Sequence, residues 1–343
     1  MTETLLSVKD LKVEFKSGSI ITKAVNGVSF DLAENENIGI VGESGSGKSV
    51  TATSLLRLIP DPPGKITGGE VNFKDKDLLK LKKNEMRKIR GKEISMIFQD
   101  PSTSLNPVFT VGDQLIESIR THNKLSKKEA KKKAVEMLDL VGIPAPEKRI
   151  DMYPHEFSGG MRQRVMIAIA LSCDPKLLIA DEPTTALDVT VQAQILNLMK
   201  KLQEERNMSI IMITHDLGVV WETCDKILVM YAGRVVESGT VEEIYKVPLH
   251  PYTWGLLDSQ ITESQDNFSP LSTIPGSPPD LSFEITGCPF ADRCPYAQDI
   301  CYEKTPALTE PAAGHAVACH FQTIDQTLER REEAYVAGGT VRS

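Results

Sequence analysis

Apolar positions along the chain follow two repeats, one typical of strands and the other of helices. Residues 5–15 alternate between apolar and polar side chains, whereas 127–141 has apolar residues every three or four positions. Strands are predicted at 5–15, 25–32, 38–41, 69–73, 94–98, 177–180, 209–214, 226–231 and 234–237. Helices are predicted at 50–58, 111–122, 127–141, 161–171, 191–205 and 241–245. Because the pattern is helical between about 86 and 172, the sequence predicts an α/β fold with a helical insertion.

A glycine-rich stretch joins the predicted strand 38–41 to the helix that follows it. Its sequence is GESGSGKS, from Gly42 to Ser49. The glycines leave backbone N–H groups uncovered, the helix N-terminus is partially positive, and Lys48 adds an ammonium for β- and γ-phosphates. Ser49 offers a hydroxyl to Mg²⁺. The stretch predicts a phosphate-binding loop with nucleotide contacts from Gly42, Glu43, Ser44, Gly45, Ser46, Gly47, Lys48, Ser49 and Val50.

Polar side chains follow three further predicted strands directly. They are Gln99, the pair Asp181-Glu182, and His215. Ligands of parallel α/β sheets bind beyond the carboxyl ends of the strands, so these side chains are candidates for the same chemistry. A Gln side chain can supply an oxygen to a metal ion or a water molecule. Asp181 suits Mg²⁺, Glu182 suits a general base for an attacking water, and neutral His215 can donate to a γ-phosphate.

A second helix start with exposed backbone donors lies in the sequence FSGGMRQR. Ser158 is a suitable N-cap, and Gly159 and Gly160 leave the first N–H groups of the helix open. A capped helix with nothing bound is the alternative for this stretch read alone. Phe15 lies shortly before the phosphate-binding loop, where it can stack on an adenine ring or form the edge of the core.

Charge and composition exclude some classes of function. The chain has 343 residues and a net charge of −8, which argues against a general nucleic-acid binder. Two basic stretches, 74–92 and 124–133, predict solvated helix faces, with contact to anionic headgroups or an acidic partner as the weaker alternative. No apolar run approaches the roughly 18 residues of a membrane helix, and the start MTETLLSVKD lacks a signal pattern. We therefore expect a cytosolic chain.

Four of the six cysteines lie close together in the last hundred residues. After a Ser- and Pro-rich stretch at 259–284, the segments GCPFADRCPYAQDIC and ACHF contain Cys288, Cys294, Cys301 and Cys319. In a reducing cytosol this density favours metal over disulfide, and the absence of a C-x-x-C pair argues against zinc. The spacing favours a [4Fe–4S] cluster, with zinc, free thiols or a disulfide as alternatives. His315 and His320 are interpreted as structural.

Taken in order, these motifs resemble those of the nucleotide-binding subunit of an ATP-binding cassette (ABC) transporter over about residues 5–245. GESGSGKS is similar to Walker A, LLIADE to Walker B and FSGGMRQR to the signature, although Phe157 and Met161 depart from the common LSGGQ. Gln99 resembles the Q-loop residue, Ala186-Leu187-Asp188 the D-loop, His215 the switch histidine and Phe15 the adenine-stacking aromatic. The resemblance implies ATP and Mg²⁺ as ligands. It implies catalytic roles for Lys48, Glu182 and His215. It implies a metal site formed by Ser49, Gln99 and Asp181. The implied nucleotide contacts outside the glycine-rich loop are Phe15, Gln99, Ser158, Gly159, Gly160 and Asp188.

The end of the chain is similar to the C-terminal extension of the oligopeptide/dipeptide importer branch of that family. HPYT, IPGSPPDL, GCPF, RCPYA and ACHF carry this resemblance. It implies a peripheral subunit on the cytoplasmic face of the membrane, with ATP held between Walker A of one chain and the signature of the next. The implied partners are a second and different ATPase chain in a head-to-tail dimer, two transmembrane permeases and an external substrate-binding protein, but no nucleic acid. The permeases are expected to dock at 100–109 and 153–157. In some members the cysteines hold an iron–sulfur cluster, for which a structural clip is preferred to redox sensing.

The expected fold is a P-loop NTPase cassette with a mostly parallel RecA-like core and an antiparallel β subdomain. The core is expected at 1–85 and 173–246, a helical subdomain with the signature at 86–172, and a small cysteine-rich extension at 247–343, with its cysteine cluster at 287–321. The permeases and binding protein select the substrate, so a nickel or oligosaccharide importer is an alternative. A soluble ABC ATPase of DNA repair or translation and a redox module are further alternatives.

Overall fold

A computed structural model describes residues 3–185, 187–259, 273–322 and 327–330, with only the backbone of Ser102. The chain divides into two compact units, and each is described by itself. The first unit comprises Met1–Leu6, Leu32–Asn37 and Phe73–Ile213; the second comprises Ser7–Asp31, Ile38–Asn72 and Thr214–Ser343. The predicted boundaries at residues 85, 172 and 246 stay predictions.

The described residues contain the following strands in chain order: β1 (Thr4–Ser17), β2 (Ile20–Ala33), β3 (Asn37–Val41), β4 (Gly64–Phe73), β5 (Lys76–Asp77), β6 (Ile94–Ile97), β7 (Leu177–Asp181), β8 (Ser209–Ile213), β9 (Lys226–Tyr231), β10 (Arg234–Thr240), β11 (Thr309–Ala312) and β12 (His315–Val317). The helices are α1 (Lys48–Leu55), α2 (Lys83–Ile89), α3 (Pro101–Ser104), α4 (Val111–His122), α5 (Lys127–Leu140), α6 (Pro146–Arg149), α7 (Gly159–Leu171), α8 (Val189–Arg206), α9 (Leu217–Thr223), α10 (Val241–Lys246), α11 (Pro251–Asp258) and α12 (Asp299–Glu303). Single 3₁₀ turns lie at Pro154–Glu156 and Ala291–Arg293.

Five neighbouring strands of a mixed sheet, in the order β11-β12-β10-β9-β3, lie in the second unit. β3 pairs with β9 in parallel, whereas β9 and β12 both pair antiparallel with β10. The core beside this sheet includes Val41 and Tyr231 from the strands, Tyr252 from α11, and Phe290 from the following segment. Tyr252 and Phe290, both beyond residue 247, thus pack into the same hydrophobic core as the strand that precedes the glycine-rich loop.

The first unit combines parallel strands with the helical part of the chain. β7 is fully buried and lies between β6 and β8, with both pairings parallel. Strands that are covered on both faces read as continuous apolar runs, which is why 177–180 shows no alternation. α4 and α5 pack on α7, whose buried residues include Val165, Ile167 and Leu171.

The structure contains a strand or helix at every range that the apolar pattern predicts, although the end residues differ. β4 begins at Gly64 rather than residue 69, since its glycines interrupt the alternation that marks a strand. Gly69 has a positive φ, and a Cβ there would lie 2.6 Å from Leu11 Cα, so the strands can approach only because it is glycine. Among the described helices, none is both long enough and apolar enough to cross a membrane.

Candidate nucleotide-binding site

The glycine-rich loop connects β3 to α1 and lies in the second unit. Gly42, Gly45 and Gly47 all have positive φ, as the sequence predicts for a loop with inward N–H groups. A Cβ at Gly42 would come within 2.2 Å of Met230 O, and one at Gly47 within 2.4 Å of Ala24 O. A Cβ at Gly45 would meet nothing within 4 Å. The absence of a side chain at Gly42 and Gly47 therefore lets the loop pack closely against neighbouring backbone of its own unit. At Gly45 the loop has open space beside it.

Two buried polar groups of the loop fit a phosphate. The Ser46 hydroxyl is buried and has no hydrogen-bond partner among the described residues, which is costly unless a ligand supplies one. Lys48 is buried at the start of α1, where its Nζ donates to Gly42 O at 2.7 Å and to Glu43 O at 2.9 Å. The ammonium is thus held at the loop rather than extended into solvent. The donor set, open glycine and helix N-terminus together suit a triphosphate.

Glu43 is fixed by residues from the far end of the chain. Its N–H donates to Tyr252 Oη at 2.8 Å. Its carboxylate accepts two hydrogen bonds from Arg293, at 2.6 Å from Nη1 and 2.9 Å from Nη2. The side chain therefore faces the C-terminal segment. The predicted nucleotide contact of Glu43 remains a prediction, and the structure gives this residue a second role in anchoring the loop.

The acidic pair lies at the end of β7 in the first unit. Asp181 is the last residue of the strand and is buried, while Glu182 follows with a φ of 46°. The Glu182 carboxylate accepts from Gln99 Nε2 at 2.8 Å and from Thr185 Oγ1 at 2.9 Å. A non-glycine residue in the left-handed region is strained, and such strain is typical of functional positions. The structure thus brings together two of the predicted site residues, Gln99 and Glu182.

The signature stretch begins α7 as predicted, and its serine is the N-cap. Ser158 Oγ accepts from Met161 N at 3.4 Å. The two glycines differ in their surroundings. A Cβ at Gly160 would lie 2.7 Å from Val191 Cγ1 on α8, whereas the nearest atom to one at Gly159 would be Leu187 Cδ2 at 4.0 Å. Gly160 is therefore needed for helix packing, while Gly159 leaves the helix start uncovered.

Three further residues predicted to contact the nucleotide are Asp188, His215 and Phe15, and each has different surroundings. Asp188 is the N-cap of α8 and accepts from Val191 N at 2.9 Å, while Ala186 of the predicted D-loop lies outside the described residues. His215 is exposed and follows β8. Phe15 is half-buried near the end of β1, and its ring lies beside Gly64. Their roles in nucleotide binding stay predictions.

The chain just after the first predicted permease-docking segment, 100–109, is hydrogen-bonded to the chain just before the second, 153–157. The N–H groups of Val111 and Gly112 donate to Met152 O and Ile150 O, which joins the start of α4 to the stretch before the signature. Exposed apolar side chains lie near this junction, namely Val108, Phe109 and Tyr153. Phe157 is buried instead. Val108, Phe109 and Tyr153 are here together called the apolar junction.

The predicted [4Fe–4S] cluster is wrong, and so is the zinc alternative. Among the described residues, no group of three or more His, Cys, Asp or Glu side chains is arranged to hold a metal ion. Cys288, Cys294, Cys301 and Cys319 are free thiols that line one cavity of about 20 Å³, which has room for about one water molecule.

Burial also favours the protonated form of Cys288, Cys294 and Cys319. It raises the pKa of Cys288 and Cys319 to about 11 and that of Cys294 to about 12, whereas a metal ligand must be a thiolate. Cysteine spacing alone could not reveal that apolar residues such as Phe290 and Tyr296 share the cavity.

The sequence did not identify the residues that hold Glu43. Arg293 and Tyr252 lie more than 200 positions away from it along the chain. Their only signal was their place inside HPYT and RCPYA, two of the segments that carried the resemblance of the extension. Tyr231, which accepts from Arg293 Nη1 at 3.2 Å, had no signal beyond its place in a predicted strand.

Comparison with solved structures defines the class of the protein. The dimeric ATP-binding cassette MJ0796, in a post-hydrolysis state bound to ADP and Pi, matches with a TM-score of 0.62 and 31% identity, over 69% of this chain and 98% of that chain. Part of a second ABC transporter complex, cbiO1 from Clostridium perfringens, matches with a TM-score of 0.60 and 30% identity, over 71% and 92%. Residues 25–185 match the family described as ABC transporter. The fold is an ABC cassette, and the protein is an ATPase of that class.

The family follows from the whole length of the chain. Residues 236–301 match the family described as oligopeptide/dipeptide transporter, C-terminal region. The oligopeptide transport ATP-binding protein OppD of Bacillus subtilis is 56% identical over 91% of this chain and 87% of that protein. The dipeptide transport ATP-binding protein DppD of the same organism is 52% identical over 98% of both. OppD of Escherichia coli is 52% identical over 95% of both. The chain belongs to the oligopeptide/dipeptide transporter family of ABC ATP-binding proteins.

Proposed function

We propose that this chain hydrolyses ATP to power the import of oligopeptides or dipeptides through a pair of membrane permeases. The observation that carries the substrate class is that relatives named for oligopeptide and dipeptide transport match along the C-terminal region as well as the cassette. These relatives do not favour a nickel or oligosaccharide importer, nor a soluble ATPase of DNA repair or translation.

The glycine-rich loop binds the triphosphate in this proposal. Ser46 Oγ and the N–H groups of the loop and of α1 donate to phosphate oxygens, and Lys48 neutralises their charge. Ser49, Gln99 and Asp181 are the proposed Mg²⁺ ligands; the bound ion polarises phosphate oxygens and neutralises charge on them. Phe15 is the proposed adenine contact. The buried hydroxyl of Ser46, which has no partner in the described part of the chain, supports the phosphate assignment.

Glu182 is the proposed general base. Its carboxylate is already oriented by Gln99 and Thr185, so it can accept a proton from water with little reorganisation. His215 is the proposed donor to the γ-phosphate.

Hydrolysis requires a second ATPase chain, because the signature stretch of each chain contacts the ATP that is bound to the other chain. The open start of α7 supports this arrangement, because Gly159 leaves room above the first N–H groups of a capped helix. We infer that Ser158, Gly159 and Gly160 contact the ATP of the partner, and that Asp188 lies at the same interface. A different chain is the proposed partner.

The apolar junction is the proposed contact with the permeases. Val108 is 72% exposed, Phe109 51% and Tyr153 41%, and exposed apolar side chains on adjoining segments suit a contact with another protein. An external substrate-binding protein delivers the peptide to the permeases, and this chain works on the cytoplasmic face of the membrane.

Glu182→Gln tests the catalytic assignment in the assembled transporter. We expect ATP binding to be retained and ATP turnover to fall by about 100-fold or more, because the amide cannot accept the proton. The control is Glu204→Gln, an exposed carboxylate of α8, which should leave turnover within twofold. Normal turnover of Glu182→Gln would show that another group is the base.

Purification of the complex from membranes tests the transport assignment. We expect two permease chains and a second ATPase chain to be recovered with this one, and uptake of radiolabelled peptides to require all of them. Recovery with ribosomes or DNA instead would refute it. Uptake of nickel or oligosaccharide but not peptide by the complex would retain the ATPase role and refute the substrate class.

A further inference from the structure

The C-terminal segment makes a concentrated set of contacts with one residue of the glycine-rich loop. Arg293 lies at the end of the 3₁₀ turn Ala291–Arg293, between two of the four clustered cysteines. Its side chain is 5% exposed, and its guanidinium forms a two-pronged ion pair with the 29% exposed carboxylate of Glu43. Such paired parallel bonds fix direction as well as distance.

Other partners hold the same guanidinium in place. Nε donates to Pro275 O at 2.8 Å and Nη2 to Ile274 O at 3.3 Å, so Arg293 also ties down the described start of the segment after 272. Nη1 donates to Tyr231 Oη at 3.2 Å, and the guanidinium carbon lies 5.8 Å from the ring centre of Tyr231. Burial opposes the positive charge, but the bonds to Glu43 and Tyr231 outweigh it and raise the pKa of Arg293. The cation is therefore permanent and rigidly placed.

Glu43 transmits this anchoring to the phosphate-binding lysine. Its carboxylate binds Arg293, its N–H binds Tyr252, and its carbonyl oxygen accepts from Lys48 Nζ at 2.9 Å. The same carbonyl accepts from Ser46 N at 3.2 Å. Movement of Glu43 would therefore displace the carbonyl that orients Lys48 and the turn that carries Ser46. A loop with three glycines has little rigidity of its own, so an external anchor determines its conformation.

We propose that the C-terminal extension is part of the nucleotide-binding machinery, with Arg293 as a positioning residue that holds the glycine-rich loop through Glu43. This role rests on the loop binding ATP, and it adds a function for the extension. An ordered loop costs less conformational entropy when ATP binds, so the anchor raises affinity. Because the hydrogen bonds of Arg293 go to Glu43, Tyr231, Ile274 and Pro275 and not to Ser46 or Lys48, its loss affects binding more than the chemical step.

Substitutions on both sides of the pair test the proposal in the full-length chain. Equilibrium titration with a trinitrophenyl derivative of ATP gives affinity, and ATP hydrolysis by the assembled complex gives KM and kcat. For Arg293→Gln and Glu43→Gln we expect affinity to fall about tenfold and KM to rise equally, with kcat at saturating ATP within threefold. Arg293→Lys, which retains charge but not the two-pronged geometry, should lie between these variants and the wild type. Lys304→Gln, an exposed cation of the same segment, is the control and should stay within twofold.

The double variant Arg293→Gln/Glu43→Gln separates an interaction from two independent effects. If Arg293 acts on ATP binding only through Glu43, the ATP affinity of the double variant equals that of whichever single variant has the lower affinity. Additive losses would overturn the proposal, as would affinity within twofold of wild type in both single variants. Reaction of Cys288, Cys294 and Cys319 with a thiol reagent reports whether Arg293→Gln unfolds the extension. If it does, Glu43→Gln and Arg293→Lys decide the matter. Failure of the wild-type chain to bind ATP would refute the nucleotide assignment itself, a result distinct from these.

Discussion

Lys48 shows how a single side chain depends on its loop. Its ammonium is buried and accepted by the carbonyl oxygens of Gly42 and Glu43. A buried charge needs such partners, and those two carbonyls lie within reach because the glycines allow the loop to fold back on α1. The same ammonium is therefore already held at the loop for which we propose triphosphate binding.

Lys48→Ala should weaken ATP binding itself. Loss of a charged hydrogen-bond donor is worth about 1.5–3 kcal/mol, so we expect affinity to fall roughly 10- to 100-fold. The measurement is equilibrium titration of the full-length chain, with the exposed Lys65→Ala of β4 as the charge-matched control. Unchanged affinity in Lys48→Ala would contradict the assigned role.

At the scale of elements, the start of α7 combines a packing requirement with an open end. Gly160 allows the close approach of Val191 on α8, while the neighbouring Gly159 has free space. A side chain at Gly160 must displace Val191 or shift one helix against the other, and such overpacking costs about 1–3 kcal/mol.

Alanine substitution should separate the two glycines. We expect Gly160→Ala to lower the free energy of unfolding by about 1–3 kcal/mol, and Gly159→Ala to change it by less than about 0.5 kcal/mol. Gly159→Ala should instead lower ATP turnover in the assembled complex. Denaturant titration and hydrolysis assays check both, and equal stability of the two variants would exclude the packing argument.

At the scale of the whole molecule, a buried carboxylate joins the C-terminal segment to the sheet of the second unit. Glu237 of β10 accepts from the N–H groups of Leu249 and His250 and from His315 Nε2. His250 is the N-cap of α11, since its Nδ1 accepts from Tyr252 N at 3.0 Å. Together with the Phe290 core, this network keeps Tyr252 beside the loop and makes the extension integral to its unit.

Stability should therefore fall in acid. Burial lowers the pKa of His250 from 6.5 to about 4, although Glu237 and the backbone of Ala318 oppose the shift. The folded state thus takes up this proton later than the unfolded state, so stability is complete above pH 6.5 and is lost as the pH falls toward 4. The contribution is about 3 kcal/mol when fully lost.

The variant His250→Asn isolates this contribution, because Asn retains an N-cap acceptor but does not titrate. Its unfolding free energy should depend less steeply on pH between 6.5 and 4 than that of the wild type. Parallel denaturant titrations over that range measure the difference, and identical slopes would assign the acid lability to other groups.

The strands, the helices and the phosphate-binding loop were predictable because their signals are local. The apolar repeat, the three glycines at 42, 45 and 47 before Lys48, and the Ser158 N-cap each act on residues only a few positions away. The iron–sulfur prediction was wrong because metal binding depends on the geometry and solvent access of the thiols, which their spacing along the chain does not record.

The sequence by itself determined the alternating framework, the glycine-rich loop and the residues at the strand ends, because local sterics and periodic burial act along the chain. Only the tertiary structure decided that Gln99 orients Glu182, that Gly160 serves packing while Gly159 stays open, and that Arg293 reaches Glu43. These contacts join residues far apart in sequence. For Arg293, the packing of the Tyr231, Tyr252 and Phe290 core in the second unit selects the partner, and no local pattern encodes that packing.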